Sequence, residues 1–163
     1  MKVLIDHVFA GISCADYESL YFDEDFNTAV GKQLGMGRLL LHFERTPTRI
    51  ERKVHYEPDR DPESPAGQAF GTSRASFIEE LDYDPRSRKG AWRTIPNLFP
   101  DRVTNAGTIE FVEAPNGTRR IVRGEVKVSF FGFGRLIERM IVSEIEKSYA
   151  NTTRLTNDWL AKR

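Results

Sequence analysis

Hydrophobic and polar residues alternate along several short segments of the chain. The clearest case is residues 48–57, where Ile50, Val54 and Tyr56 share one face and charged residues fill the other. A period of two residues predicts a β-strand with one buried face. This phase also places Arg52 on the apolar side, which is unusual for a charged residue.

The same alternation predicts six further strands, at residues 3–9, 38–44, 69–83, 90–96, 103–113 and 119–131. In the first of them His7 takes an inward position. In residues 38–44, Leu39, Leu41 and Phe43 share a face, and in residues 69–83 Glu79 shares its face with Phe77. The proline-rich, acidic run at residues 57–67 predicts a surface loop.

The last two strands flank the sequence APNGT, in which Asn116 precedes Gly117. An Asn-Gly pair between two alternating segments favours a type I′ turn. We therefore predict that residues 103–113 and 119–131 form a β-hairpin.

Two short helices are predicted between the first and second strands. Ser13 is a candidate N-cap for the first, Asp23 or Asp25 for the second, and Gly35 is placed to end the second. From Phe133 onward the apolar spacing becomes helical for almost 30 residues, about 40 Å.

One stripe of this long helix combines apolar and polar residues. The apolar members are Ile137, Ile141, Ile145, Tyr149, Leu155 and Trp159, and the polar members are Glu138, Ser148, Thr152 and Thr156. A helix packed on a dry core does not usually bury so many polar side chains. We expect a curved antiparallel sheet of about seven strands to wrap around this helix and to leave a cavity between them.

This order of elements resembles the helix-grip fold of the START-like superfamily, also called SRPBCC, which includes polyketide cyclases, plant pathogenesis-related proteins and lipid carriers. The segments RRIVRGEVKVSFFGFGRLIERMI, GAWRTIP and YFDEDFNTAV are similar to an uncharacterised bacterial branch of it. The resemblance implies an α+β fold, one START-like domain over residues 1–163 and an apolar ligand.

We predict that the cavity binds its ligand through side chains on the inward faces of the sheet and the long helix. These residues are Arg52, Val54, Phe77, Glu79, Trp92, Phe111, Val128, Glu138, Ile141, Ile145 and Tyr149. Buried charges need partners, so Arg52, Glu79 and Glu138 together suggest an internal ion pair or a polar patch facing the cavity. For Glu138 the alternative is an acid favoured near a helix N-terminus by the helix dipole.

Composition narrows the classes of partner. Lys plus Arg and Asp plus Glu each number 24, which gives no electrostatic reason to expect nucleic acid. The single cysteine, Cys14, favours a reducing compartment, and no apolar run approaches the length of a membrane span, so we expect a cytoplasmic protein. The three histidines lack the spacing of a zinc site, and we expect neither a metal nor a cofactor.

Three functions compete. The first is a carrier or sensor that holds a hydrophobic small molecule or lipid. The second is an enzyme of the polyketide cyclase or aromatase kind, in which Arg52, Glu138 and Tyr149 would act as general acid or base. The third is a module that binds a protein partner through the outer sheet surface, whose evenly mixed charges do not favour it. The sequence favours the first and assigns no catalytic residue.

Overall fold

The computed structural model describes residues 1–59, 63 and 75–163. Within these residues the chain forms strands and helices in the predicted order. The elements are β1 (Lys2–Ala10), α1 (Cys14–Tyr21), α2 (Glu24–Gln33), β2 (Met36–Arg45), β3 (Ile50–Pro58), β4 (Phe77–Asp84), β5 (Lys89–Pro96), β6 (Val103–Ala114), β7 (Gly117–Val128) and α3 (Gly134–Ala161).

The seven strands form one antiparallel sheet in the order β1-β7-β6-β5-β4-β3-β2. The sheet is curved, and α3 packs against β1 and β7, whereas α2 packs against β2 and contacts α3 through the rings of Phe26 and Trp159. The predicted α+β helix-grip fold is therefore confirmed. No helix in the described part of the chain is long and apolar enough to cross a membrane.

The two short helices begin at side-chain caps that the sequence predicts. Ser13 Oγ accepts the Asp16 N–H at 3.1 Å, and Asp23 Oδ1 accepts the Phe26 N–H at 2.7 Å. Gly35 follows α2 with a φ of 65°, a conformation that glycine adopts without steric cost. Short local signals therefore fix both helices directly after β1.

An aromatic cluster fills the space between α1 and the sheet. The ring of Tyr17 on α1 stacks on Phe9 at 4.3 Å and meets the edge of Phe111 at 5.0 Å, and Tyr83 lies 5.5 Å from Phe111. These four side chains are almost completely buried. Part of the solid core of the protein therefore lies beneath α1.

The face predicted for the second strand is wrong. Leu39 is 60% exposed and Leu41 46% exposed, because the register shifts at a β-bulge between Leu40 and His42. An extra residue in one strand reverses which side chains point inward. Phe43 lies beyond the bulge and does reach Phe22, at 6.3 Å between ring centroids.

The predicted β6–β7 hairpin is confirmed, but its turn type is not. Ala114 pairs with Gly117, so that Pro115 and Asn116 form the turn, and neither Asn116 nor Gly117 has the positive φ that a type I′ turn needs. Pro115 fixes its own φ near −65°. Glycine is needed at position 117 for another reason, since a Cβ there would lie 2.0 Å from the carbonyl oxygen of Phe9.

Two predictions fall partly on residues that the structure does not describe. The loop predicted at residues 57–67 lies outside the described residues except for 57–59 and 63. Likewise, residues 69–74 of the predicted strand 69–83 lie outside them, and the described strand β4 begins at Phe77.

Candidate functional site

A cavity of about 460 Å³ lies between the sheet and the helices α2 and α3. This volume is within the roughly 300–1,000 Å³ range of small-molecule sites. Most side chains around it are apolar: β4 and β5 contribute Phe77 and Trp92, and α3 contributes Ile137, Ile141 and Ile145. At its rim lie Phe99, 50% exposed, and the exposed Glu144.

The structure places seven of the eleven predicted ligand-binding residues around this cavity, namely Arg52, Phe77, Glu79, Trp92, Ile141, Ile145 and Tyr149. The other four, Val54, Phe111, Val128 and Glu138, do not line it. Alternation along a strand predicts which residues point inward, but not whether an inward residue meets a cavity or packed core. Their role in binding a ligand stays a prediction for all eleven.

Three of the four residues outside the cavity belong to packed regions. Val54 is completely buried on β3 opposite Glu79, and Phe111 is part of the aromatic cluster beneath α1. Val128 is half-buried and packs against the same core. We therefore leave these residues out of the proposed site.

Glu138 joins β7 to α3 instead of facing the cavity. Its Oε1 accepts the N–H of Val128 at 3.0 Å, and its Oε2 lies 3.6 Å from the amino group of Met1. The prediction that Glu138 shares an ion pair or a polar patch with Arg52 and Glu79 is therefore wrong. Glu138 provides an acceptor for a backbone N–H at the end of β7, where the chain leaves the sheet.

Arg52 and Glu79 do form an internal ion pair at the cavity wall. The two residues are diagonal neighbours on the same face of β3 and β4, and Arg52 Nη2 donates to Glu79 Oε1 at 3.1 Å. Arg52 also donates to the carbonyl oxygen and the hydroxyl of Tyr21, at 3.2 and 3.3 Å, and lies over its ring. The side chain of Arg52 is 5% exposed, so the pair is largely shielded from solvent.

The tyrosines around the cavity are neutral. Burial raises the pKa of Tyr56 to about 12, and it also raises the pKa values of Tyr21 and Tyr149 above their ordinary value. A general base works best with a pKa near the working pH. These hydroxyls therefore suit hydrogen bonding to a ligand better than proton abstraction.

Two further arginines, Arg38 and Arg120, line the cavity, and neither was predicted from the sequence. Arg38 pairs with Glu24 of α2 and lies over the ring of Tyr56. Arg120 lies in phase with Val122 and Val126 on β7, so alternation alone could have identified it. Arg38 precedes the bulge in β2, which hides its inward position from a pattern continued back from Phe43.

The helix α2 also contributes to the cavity, through Val30 and through Leu34 at its C-terminal cap. Its sequence carries no sign of this, because a short amphipathic helix has the same pattern whether its apolar face meets a core or a cavity. Only the packing of α2 against β2 and α3 decides between them.

A hydroxyl connects Arg120 to His7. Arg120 Nη2 donates to Thr153 Oγ1 at 2.9 Å, and that oxygen lies 2.8 Å from His7 Nδ1. Arginine only donates, so the Thr153 hydroxyl is free to donate to an unprotonated Nδ1. Burial and, next, the charge of Arg120 lower the pKa of His7, against a smaller opposing effect of Asp6.

We expect His7 to make the protein less stable in mild acid. The folded pKa lies below the unfolded value of about 6.5, so protons bind the unfolded chain more readily. Its stabilising contribution is present above pH 6.5 and is lost as the pH falls through the folded pKa. Urea denaturation at pH 7.5 and 5.5 should show a smaller pH dependence for His7→Gln than for wild type. The control is His55→Gln, in which a second histidine is replaced in the same way. An unchanged pH dependence of the free energy of unfolding in His7→Gln would contradict this prediction.

His42, Glu44 and Glu51 form a group of possible metal ligands, with ligand atoms within 4.8 Å of one another. His42 and Glu44 are exposed, and Arg49 Nη2 lies 2.9 Å from Glu51. The guanidinium already balances one of the two carboxylates. We therefore assign no role to this group.

Comparison with known proteins gives a family but no activity. The model of the family described as "Protein of unknown function (DUF2505)" matches residues 15–160. No curated protein matches the sequence.

Solved structures resemble the chain over nearly its whole length. TTHA0849 from Thermus thermophilus has a TM-score of 0.66 at 12% identity and covers 97% of this chain and 95% of its own. A START superfamily protein from Mycobacterium smegmatis has a TM-score of 0.61 at 14% identity and covers 98% of each chain. Protein Ms6760 from Mycobacterium smegmatis has a TM-score of 0.65 at 12% identity, covering 98% of this chain and 90% of its own. At these identities the likeness establishes the START-like fold alone.

Proposed function

The chain belongs to the DUF2505 family of proteins of unknown function, and from its site we propose that it binds a hydrophobic small molecule or lipid as a carrier or sensor. The observation that carries this proposal is the cavity of about 460 Å³ between the sheet, α2 and α3. Its isoleucines and aromatic rings would contact the apolar body of the ligand, and Arg52, Glu79 and the tyrosines would orient it.

The alternative of a cyclase or aromatase is less well supported. Of the three residues suggested for acid–base roles, Glu138 lies outside the cavity, Arg52 is ion-paired, and the pKa of Tyr149 is raised by burial. A catalytic base needs a pKa near the working pH. Binding requires none of these conditions and is the function that we propose.

Two further proposals accompany this one. We take residues 1–163 as a single START-like domain, because β1 and α3, from opposite ends of the sequence, pack together. We place the protein in the cytoplasm, because its only cysteine, Cys14, is a buried free thiol.

Filling the cavity should weaken the binding of an uncharged apolar probe. N-Phenyl-1-naphthylamine should bind wild type with a stoichiometry of one and gain fluorescence. Replacing Ile141, which lines the cavity, by tryptophan should weaken binding by roughly tenfold or more, since overpacking a site is costly. Circular dichroism would verify that the variant is folded.

The matched control is Ser143→Trp, which adds the same indole to an exposed position of α3. It should bind the probe like wild type. Native mass spectrometry of protein purified from its own host should in addition show a bound hydrophobic molecule. Equal binding by Ile141→Trp and wild type would place the probe outside the cavity and overturn the proposal.

A further inference from the structure

The inner part of the cavity holds more positive than negative charge. Arg52 and Arg120 both line it, and both are at least nine-tenths buried. Glu79 is within 4.0 Å of Arg52, and in the described part of the chain no carboxylate comes that close to Arg120. A guanidinium stays protonated in proteins, so one positive charge is left without an ionic partner.

The surroundings of Arg120 are polar but neutral. Nη1 donates to the Tyr17 hydroxyl at 3.1 Å and Nη2 to Thr153 Oγ1 at 2.9 Å, while the guanidinium lies over the rings of Phe9 and Tyr149, 5.0 and 4.8 Å from their centroids. Burial raises the pKa of Tyr17 to about 12, so its hydroxyl carries no charge.

The hydrogen-bonding capacity of Arg120 is also incompletely used. A guanidinium has five N–H donors, and in the described residues two of them have an acceptor, while the buried Nε has none. The exposed Glu144 at the rim, like the other described carboxylates, forms no ion pair with Arg120. Burial of an unpaired charge is costly, so a ligand that brings an anion would recover this cost.

We propose that the ligand is an apolar molecule that carries an oxyanion, a carboxylate or a phosphate, and that Arg120 binds this group. This rests on the proposed function, because it assigns one end of the ligand in the same cavity. The planar fork of a guanidinium matches both kinds of oxyanion. The apolar part of the ligand would then lie against Trp92, Ile141 and Ile145.

The test compares three probes of equal chain length: dodecanoate, dodecyl phosphate and dodecan-1-ol. Each would displace N-phenyl-1-naphthylamine from wild type at pH 8 and at low protein concentration. At least one of the two anions should bind about tenfold more tightly than the alcohol, as expected for a charge-assisted bidentate contact. The stronger of the two identifies the headgroup. Equal affinity of all three probes would overturn the inference.

Substitutions at Arg120 test whether this residue causes the preference for the anionic probe. Arg120→Gln should reduce the preference for the anion to less than about threefold, and Arg120→Lys, which keeps the charge but loses the fork, should retain part of it. The control Arg123→Gln removes an exposed arginine of the same strand that pairs with Glu110, and it should behave like wild type. An unchanged preference in folded Arg120→Gln would also overturn the inference.

The two proposals fail differently. If the naphthylamine binds wild type and the anions show no preference over the alcohol, the cavity binds apolar ligands but Arg120 recognises no anion. If the naphthylamine does not bind wild type, the proposed function itself fails. The comparison of probes on wild type does not depend on any variant folding.

Discussion

Glu79→Gln should lower the free energy of unfolding by about 3 kcal/mol, the lower end of the range for removing one partner of a buried ion pair. The substitution keeps the size of the side chain and removes its charge. Arg52, 5% exposed, would then hold a buried charge whose partners among the described residues are the two oxygens and the ring of Tyr21, the ring of Phe22 and a neutral amide. Urea denaturation at neutral pH measures the change.

The next residue of β4 provides the matched control. Glu80 points to the opposite face of the sheet, where it pairs with Lys53 at 2.7 Å and with Arg93 at 2.5 Å. Surface ion pairs contribute about 0–1 kcal/mol, so Glu80→Gln should cost less than about 1 kcal/mol. If Glu79→Gln and Glu80→Gln lowered the free energy of unfolding equally, water in the cavity would have to solvate Arg52 as well as bulk solvent does.

A double substitution separates the charge from the packing. Removing both charges with Arg52→Met and Glu79→Met leaves no uncompensated ion, and such replacements of buried pairs are often neutral. The double variant should therefore be more stable than either single methionine variant. A double variant close to wild type in stability would show that the ion pair adds little net stability, although losing one partner is costly.

Much of this fold could be predicted because its signals are local. Alternation over residues 48–57 and the caps at Ser13 and Asp23 depend on neighbours in sequence, and each was confirmed. The face of β2 was predicted incorrectly because a single bulge near Leu41 reverses the alternation. No residue in that strand distinguishes a bulged from a regular strand.

The site could be predicted only in part, because a cavity depends on contacts between distant segments. Arg52 and Glu79 were identified as inward charges, since each lies in phase with apolar neighbours. The position of Glu138 could not be separated from theirs, because its stripe on α3 faces the end of β7 at one level and the cavity at another. The helical period gives the direction of a side chain but not what it meets.

We expect the curved sheet to require a pair of glycines, and their substitution should have the largest effect. Gly107 and Gly124 lie directly opposite each other on β6 and β7, and Trp92 on β5 is in register with Gly107. A Cβ at position 107 would lie 1.8 Å from the Arg123 carbonyl oxygen and 2.6 Å from the Gly124 Cα. These neighbours are backbone atoms, which cannot rotate away.

We expect Gly107→Ala to cost more than about 3 kcal/mol, above the usual range for overpacking, and thus a large part of the roughly 5–15 kcal/mol that stabilises a domain. Thermal and urea denaturation of the purified variant measure the loss. Its β6 and β7 strands would have to separate or bend less, and Trp92, which lies against Gly124 and lines the cavity, would move with them.

Gly37→Ala on β2 is the control for the alanine side chain itself. Its Cβ would lie 3.0 Å from the Glu57 carbonyl oxygen, a contact that a shift of a few tenths of an ångström relieves, and its φ is not positive. Both substitutions reduce the entropy of the unfolded chain equally, so the difference between them measures the clash at Gly107. Similar stability of the two variants would contradict this account, because it would mean that β6 and β7 can separate freely and that the sheet bends around α3 without requiring glycine at this crossing.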